Sequence, residues 1–311
     1  MAVSSLLSKR CLQRLFFKRK AKPGSPLALL CFLLSVGGPA QSATLPTVAS
    51  INLCTDQLVL LLAEPHQVLS VSELSHQSAG SFLYEKARQF PANTGSSEHI
   101  LTLAPDVVVA GQFTTKATIS LLRELGLQVE ILPIANSLAD LYANIRSVAG
   151  WLGQHEKGEA MVLELKQRVA SLLNQNNAEP FTHSEAARPG SFIAAYYDPN
   201  GYTVGPNTLR GQVLALAGWE NAAEHFGIQH YGSMSLESLV RVSPDAVIDS
   251  PYSLGTYSRG QQLLQHPALR ASGLNPMVIR IPSRQTTCAG PWTVDMIEYL
   301  VSKRAELAAK N

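Results

Sequence analysis

Short apolar runs alternate with amphipathic segments along most of this chain. The apolar runs lie near residues 47–52, 68–74, 106–110, 127–133, 191–197 and 277–281. Such runs are typical of strands that are buried on both faces of a parallel sheet. The segments between them have helical spacing, and the segment 114–125 ends at Gly126, as many helices do. The alternation predicts an α/β fold with helices packed on the faces of parallel sheets.

The alternation stops in the middle of the chain. Residues 137–152 and 156–173 are two consecutive helical stretches with no strand-like run between them. The second stretch has one apolar face and, at 1.5 Å per residue, would be about 27 Å long. The polar segment 174–190 follows as a linker, and further helices are predicted near residues 207–217, 259–265 and 291–310. This pattern predicts two Rossmann-like lobes joined by one long backbone helix, with a cleft between the lobes.

One phrase occurs twice, as EHILTLAPDVVV at residues 98–109 and as ESLVRVSPDAVI at residues 237–248. Each copy predicts a helical turn capped by a serine, Ser97 or Ser235, which Pro-Asp ends before an apolar strand begins. A single copy would be an ordinary connector of any α/β protein. Two copies in matching contexts predict two similar lobes, which we place at residues 44–136 and 176–311, with the connecting helices at 137–175.

Residues 1–43 have the layout of a secretory signal peptide. Residues 1–26 carry seven basic side chains and no acidic one, and the apolar segment 27–38 is followed by small residues. The apolar segment is shorter than the roughly 20 residues that span a bilayer, which favours a cleaved signal over an uncleaved anchor. We expect cleavage after Ala40 or Ala43 and export to the periplasm.

Removing this segment changes the charge of the chain. Residues 44–311 carry 18 basic and 23 acidic side chains, a formal charge of −5. Nucleic-acid binding requires a basic face, so a mildly acidic exported protein is not expected to have a nucleic-acid partner.

The short motifs of common enzymes are missing from the sequence. There is no GxGxxG after a strand, no phosphate-cradling GxxxxGK[ST], no HExxH and no GxSxG. No group of residues has the spacing of metal ligands. The prediction is therefore a protein that is not an enzyme and has neither a cofactor nor a resident metal ion.

Several segments, in their order and spacing, make this chain resemble the Fe/B12 periplasmic-binding family, the helical-backbone class of substrate-binding proteins of ABC importers. They are VASINLCTDQLVLLL, GSSEHILTLAPDVVVAG, the long helix, GYTVGPNTLRGQVLALAGWEN, SMSLESLVRVSPDAVI and the terminal GPWT helix. The resemblance covers about residues 48–307. It implies a monomer whose two lobes, joined by a rigid helix, hold the ligand in the cleft between them.

The resemblance also implies partners, namely an ABC permease with its ATPase and a metal-chelate ligand. By position, Glu98 and Glu237 match the two glutamates with which this family docks onto arginines of the permease. A carboxylate at a helix start is favoured by the helix dipole and can pair bidentately with arginine. In the alternative interpretation, each glutamate only caps its own helical turn.

Ligands of open α/β lobes bind beyond the carboxyl ends of the strands, and this rule selects the candidate cleft residues. They are Asn52, Cys54, Thr55, His76, Phe113, Tyr197, Tyr202, Tyr252, Arg284 and Trp292. Tyr202 falls where the family often places a ligand-stacking aromatic, although it could equally fill a turn. Tyrosine-rich loops without a basic cluster favour a corrinoid such as cobalamin, with a ferric siderophore or haem next.

Two cysteines, Cys54 and Cys288, remain after the predicted signal peptide. Three alternatives are open: the two cysteines form a disulfide, are free thiols facing the ligand, or are unrelated buried residues. The oxidising compartment favours the disulfide. Two other functions also remain open, an exported enzyme and a ligand-sensing module, each acting on a metal chelate.

Overall fold

The computed structural model describes residues 44–175, 191–251 and 273–310. The described residues form one compact unit. The predicted signal peptide, most of the predicted linker, the helix predicted near 259–265 and Tyr252 lie outside the described residues.

The N-terminal lobe is built on a five-stranded sheet in the order β3-β2-β1-β4-β5, and all its strand pairs are parallel. The strands are β1 (Val48–Ser50), β2 (Val68–Ser72), β3 (Ala92–Asn93), β4 (Val107–Gly111) and β5 (Val129–Leu132). Its helices are α1 (Leu53–Leu62), α2 (Tyr84–Ala87), α3 (Ser97–Leu103) and α4 (Lys116–Glu124). Every residue of β1 and β4 is buried, as expected for central strands covered on both faces.

The C-terminal lobe repeats this plan with a four-stranded parallel sheet in the order β11-β10-β6-β8. The strands are β6 (Phe192–Tyr196), β8 (Trp219–Asn221), β10 (Ala246–Asp249) and β11 (Met277–Arg280). A separate antiparallel pair consists of β7 (Tyr202–Val204) and β9 (Tyr231–Ser233). The helices are α7 (Leu209–Leu216), α8 (Leu236–Val242), α9 (Ser283–Thr286) and α10 (Trp292–Ala308).

Two helices, α5 (Leu138–Trp151) and α6 (His155–Gln175), lie between the sheets in sequence, as the break in alternation predicts. Near its start α6 is tied to the N-terminal lobe, where Lys157 pairs with Glu64 at 3.3 Å. Further along, Arg168 pairs with Asp295 and Glu298 of α10, at 2.6 and 2.8 Å. The long helix is thus joined to both lobes by ion pairs and connects them.

The two copies of the repeated phrase have the same structure. Ser96 and Ser235 cap the seven-residue helices α3 and α8, so the first cap is Ser96 rather than the predicted Ser97. Both helices end at a residue in the left-handed conformation, Ala104 or Ser243, just before Pro-Asp. The chain therefore leaves the helix before the proline, which has no amide hydrogen with which to continue the helical hydrogen bonds.

The aspartate of each copy fastens one strand to its neighbour. Asp106 accepts hydrogen bonds from the amide and the hydroxyl of Thr47, both at 2.7 Å. Asp245 accepts one from the amide of Ile193 at 2.8 Å. Thr47 leads into β1 and Ile193 lies in β6, so each aspartate holds equivalent strands of the two lobes in register.

The largest hydrophobic core contains buried side chains from both sheets, for example Val48 of β1 and Tyr196 of β6. Side chains of α5, α7 and α10 also contribute to it. Within the described part of the chain, no helix is both long and apolar enough to cross a membrane.

Candidate functional site

A cavity of about 1390 Å³ opens between the two lobes. Much of its wall comes from the segments that follow β1, β4, β5, β6, β10 and β11, in agreement with the rule that ligands bind at the carboxyl ends of parallel strands. Small-molecule pockets commonly measure about 300–1,000 Å³, so this cavity has room for a large ligand.

The N-terminal wall begins at the start of α1. Asn52 caps this helix by accepting a hydrogen bond from the amide of Cys54 at 3.0 Å, while Thr55 is held through its hydroxyl by Ser50 at 2.7 Å. A Cβ on Gly111 would lie 2.6 Å from Cγ of Asn52, so the end of β4 must be glycine for Asn52 to fit. Both polar side chains line the cavity in fixed positions.

The loops after β4 and β5 form the rim of the same wall. Phe113 is 80% exposed and Ile134 is also exposed, and both line the cavity. Gln112 joins the two loops by accepting a hydrogen bond from the amide of Ile134 at 3.0 Å. These two exposed apolar side chains, on loops joined by a hydrogen bond, provide apolar area for a ligand to cover.

Cys54 and Cys288 are joined by a disulfide, with their Cα atoms 5.1 Å apart, and both line the cavity. Of the three predicted states, the structure therefore has the disulfide. Beside it, Phe82 stacks on Trp292 with ring centroids 4.4 Å apart. The bond connects the start of α1 with the segment before α10 and so crosses from lobe to lobe.

The C-terminal wall is shaped by the turn Asp198–Pro199–Asn200–Gly201. The amide of Gly201 donates to the carbonyl of Asp198 at 3.1 Å, and Asn200 has φ +64°, as a type II turn requires at its third position. Gly201 also has φ +74°, and a Cβ there would collide with the carbonyl oxygen of Met234. This tight turn places Asp198 and Tyr202 side by side on the cavity wall.

Arg210, on α7, forms an ion pair with Asp198 at 2.8 Å, and both side chains are mostly buried. The guanidinium carbon lies 5.1 Å from the ring centre of Tyr196 and 5.9 Å from that of Tyr202. The other carboxylate oxygen of Asp198 accepts a hydrogen bond from the amide of Ser250 at 3.0 Å. The carboxylate is thereby held on both oxygens.

Tyr202 and Tyr231 form an aromatic pair at the mouth of the cavity. Their rings are nearly parallel, with centroids 6.2 Å apart, and both are exposed. Burial raises the pKa of the Tyr202 phenol, and the nearby Arg210 only partly offsets this effect. Tyr202 is therefore a neutral phenol at physiological pH and offers a ligand a flat face and one hydroxyl.

Asp198 and Arg210 are the charged residues among the described residues that line the cavity, and they neutralise each other. The polar remainder consists of amides and hydroxyls. The amide side chains of the lining belong to Asn52, Gln112, Asn144, Asn200 and Gln285. The described lining is therefore neutral overall, with many groups that can both donate and accept hydrogen bonds.

Two of the predicted cleft residues belong to the core instead. Tyr197 is 2% exposed and packs among buried apolar residues such as Leu239. Successive residues of an extended chain face opposite sides, and its neighbour Tyr196 takes the side beneath Arg210. Trp292 is also 2% exposed, and its indole nitrogen donates to the carbonyl of Cys288 at 2.8 Å. Trp292 thus packs behind Cys288, which itself lines the cavity.

Two further predicted residues lie outside the cavity lining. His76 ends a short 3₁₀ helix after β2, and its Nε2 is buried without a hydrogen-bond partner. Arg284 is partly buried in α9, whereas its neighbours Ser283 and Gln285 do line the cavity. The segment around Arg284 therefore lies at the site although the Arg284 side chain does not line it, whereas neither His76 nor its sequence neighbours line the cavity.

Sequence reasoning did not select three important lining residues, Arg210, Tyr231 and Asn144. They lie on a helix, a short antiparallel strand and a connecting helix, so the strand-end rule could not find them. A single arginine in the otherwise uncharged GYTVGPNTLRGQVLALAGW was the available signal for Arg210.

Glu98 and Glu237 are both exposed and each is the second residue of its helix, α3 or α8. Among the residues described by the structure, no group of three or more histidine, cysteine or acidic side chains could hold a metal ion.

Comparison with known proteins gives a consistent fold. A family model described as periplasmic binding protein matches residues 48–273. The apo structure of the periplasmic heme-binding protein RhuT from Roseiflexus sp. RS-1 is 21% identical and has a TM-score of 0.65, covering 85% of this chain and 99% of that one. At this identity, the likeness establishes the two-lobed fold and nothing further.

Two curated relatives are also similar in sequence. A cobalamin-binding protein of Halobacterium salinarum is 26% identical over 207 residues, which are 65% of this chain and 53% of that protein. An uncharacterized ABC transporter substrate-binding lipoprotein of Bacillus subtilis, YvrC, is 26% identical over 155 residues, 49% of this chain and 47% of that protein. The chain spans about half the length of the curated relatives it matches.

Proposed function

This chain belongs to the periplasmic binding protein family, and we propose that it is the exported binding component of an ABC importer that captures a corrinoid such as cobalamin. It would be a monomer that, after removal of the signal peptide in residues 1–43, delivers the ligand to a permease and its ATPase. The names of the curated relatives support both parts, since one is a cobalamin-binding protein and another an ABC transporter substrate-binding lipoprotein.

The observation that carries the ligand assignment is that the described lining of this large cavity is neutral overall and rich in amide side chains. Corrinoids carry peripheral amides around a macrocycle, so they can exchange hydrogen bonds with the Asn and Gln side chains and cover the apolar rim. Haem carries two carboxylates, and ferric catecholate siderophores are anionic complexes. Such ligands would need a cation that is free to pair with them, and the Arg210 charge is already matched by Asp198.

Delivery is assigned to Glu98 and Glu237. They occupy equivalent positions in the two lobes, and both are exposed at helix starts. A permease built of two similar halves would contact equivalent residues on the two lobes, and arginine is well suited to bind carboxylates at such positions.

Ligand binding is tested by titrating the purified protein with cyanocobalamin and with haem, followed by absorbance and equilibrium dialysis. We expect cyanocobalamin to bind at one site per chain and more tightly than haem. Mass spectrometry of the protein purified from its native host would identify the ligand directly. A bound haem or siderophore, without corrinoid binding, would contradict the ligand assignment.

A matched pair of variants links this binding to the cavity. Tyr202→Ala should weaken corrinoid binding because it removes aromatic area at the cavity mouth. Tyr299→Ala is the control, because Tyr299 has the same exposed fraction, 39%, but lies on α10 outside the cavity lining. Equal effects of the two substitutions would place the ligand elsewhere.

A further inference from the structure

The Asp198–Arg210 pair is an unusual feature for a cavity that is otherwise uncharged along its described lining. Arg210 lies on α7 and Asp198 begins the hydrogen-bonded turn after β6, so the backbone of each residue is part of a hydrogen-bonded structure. The side chains are 16% and 12% exposed, which places the charges at the wall of the cavity and largely out of water.

The Arg210 guanidinium is held by its ion pair with Asp198 and by two neighbouring aromatic rings. One carboxylate oxygen of Asp198 accepts from Arg210 at 2.8 Å and the other accepts from the amide of Ser250 at 3.0 Å. The rings of Tyr196 and Tyr202 lie within cation–π distance of the guanidinium. Arginine held in this way cannot turn toward a ligand without leaving Asp198 as an unpaired, mostly buried charge, which is strongly unfavourable.

We propose that Asp198 is a specificity-determining residue, because its ion pair with Arg210 withholds the cation from ligand carboxylates and thereby makes the cavity prefer neutral, amide-bearing ligands. This inference rests on the proposed function, since it concerns the same cavity and the same ligand class. Without Asp198, the guanidinium would be an uncompensated cation on the cavity wall, and a ligand carboxylate would be its natural partner.

The test compares ligands that differ only in charge. Cyanocobalamin is paired with its monocarboxylic acids, in which one peripheral amide is hydrolysed, and iron protoporphyrin is paired with its dimethyl ester. The ratio of affinities for the charged and neutral member is measured for each pair. For the unmodified protein, we expect the neutral corrinoid to bind more tightly than the acid.

Asp198→Asn keeps an acceptor for the Ser250 amide but removes the negative charge. It should shift the affinity ratio toward the carboxylate ligand by about tenfold, the effect of one charge-assisted hydrogen bond. Arg210→Gln should shift it in the opposite direction, because it leaves the Asp198 carboxylate facing the ligand. The double variant should return the ratio close to its original value.

Asp295→Asn serves as the control, because it changes the charge by the same amount at an exposed site on α10, away from the cavity. Circular dichroism and thermal melting show which variants are folded. Should Asp198→Asn fail to fold, the opposite shift expected for Arg210→Gln still tests the inference.

The outcomes separate this inference from the proposed function. Binding of the porphyrin pair without the corrinoid pair would refute the proposed ligand, while the porphyrin ratio would still test Asp198. An unchanged ratio in Asp198→Asn and Arg210→Gln, with corrinoid binding intact, would overturn the role of Asp198 alone. Failure of the unmodified protein to bind either pair would overturn both.

Discussion

Cys54 and Cys288 are 234 positions apart in the sequence, yet their disulfide joins the first helix of one lobe to the segment before the last helix of the other. The Phe82–Trp292 stack lies beside it, and the side chain of Gln212 on α7 accepts a hydrogen bond from the amide of Leu138 on α5 at 2.7 Å. These contacts tie the C-terminal lobe to the N-terminal lobe and to the connecting helix α5, so they should affect both stability and motion.

Loss of the disulfide should destabilise the protein considerably. A bond that closes so long a loop restricts the unfolded chain strongly, and its removal is expected to cost up to about 5 kcal/mol. The Cys54→Ser/Cys288→Ser double variant should therefore unfold at a clearly lower denaturant concentration. Thiol labelling of the unreduced, folded protein should detect neither cysteine. Two reactive thiols, or an unchanged midpoint after reduction, would contradict this prediction.

Ligand binding should change the overall shape only slightly. The long connecting helix α6, the disulfide and the core shared by both sheets all oppose a large hinge rotation. Small-angle scattering should show a change in radius of gyration of under about 1 Å when the ligand is added. A large compaction would mean that the lobes rotate despite these connections.

Asp56 should make stability depend on pH. This carboxyl is completely buried in α1 and accepts hydrogen bonds from the amide and hydroxyl of Ser72. Burial raises its pKa to about 7, and the hydrogen bonds from Ser50, Ser72 and Ser75 oppose this only in part. Between about pH 4 and 7, the unfolded chain loses this proton while the folded protein retains it, so stability falls as the pH rises and levels off above about 7.

The Asp56→Asn variant removes this effect while keeping a similar shape. The free energy of unfolding of Asp56→Asn, minus that of the unmodified protein, should increase as the pH rises from 4 to 7.5, by roughly 4 kcal/mol at most. Urea unfolding at several pH values measures the difference. A parallel pH dependence of Asp56→Asn and the unmodified protein would refute the assignment.

The fold was predictable because strand and helix periodicities are local properties. The strands predicted near 68–74, 106–110 and 277–281 occur as β2, β4 and β11, each within about two residues. The three-residue pair β7 and β9 was not predicted, since its strands are too short and polar to show alternation.

The candidate site was predictable only in part. The strand-end rule located Asn52, Thr55, Phe113 and Tyr202, which all line the cavity. It also selected Tyr197, which is buried in the core, because nearness to a strand end does not tell which way a side chain points. The pairing of Asp198 with Arg210 depends on how α7 packs against the turn, which no local pattern encodes.

The two aspartates of the repeated phrase should contribute similarly to stability. Asp106→Ala removes the acceptor for Thr47, and Asp245→Ala removes the acceptor for Ile193. Each substitution should lower the free energy of unfolding by about 1–3 kcal/mol, the usual effect of hydrogen bonds to a charged group. Denaturation of the two single variants and the double variant measures this. Additive losses are expected because the sites lie in different lobes, and a negligible loss at either site would show that its bond is not stabilising.

Replacing Glu98 and Glu237 should abolish transport but leave ligand affinity unchanged. Both carboxylates are exposed on short helices, and neither lines the cavity. In the Glu98→Ala/Glu237→Ala variant, stimulation of the reconstituted permease–ATPase should fall by about tenfold or more, since each lost arginine–carboxylate contact contributes at least one charge-assisted hydrogen bond. Each single variant should show a partial loss.

Glu124→Ala is the control, because Glu124 is an exposed glutamate at the end of α4, and this variant should behave like the unmodified protein. Normal transport by the double variant, or an equal loss of ligand binding, would exclude the docking role.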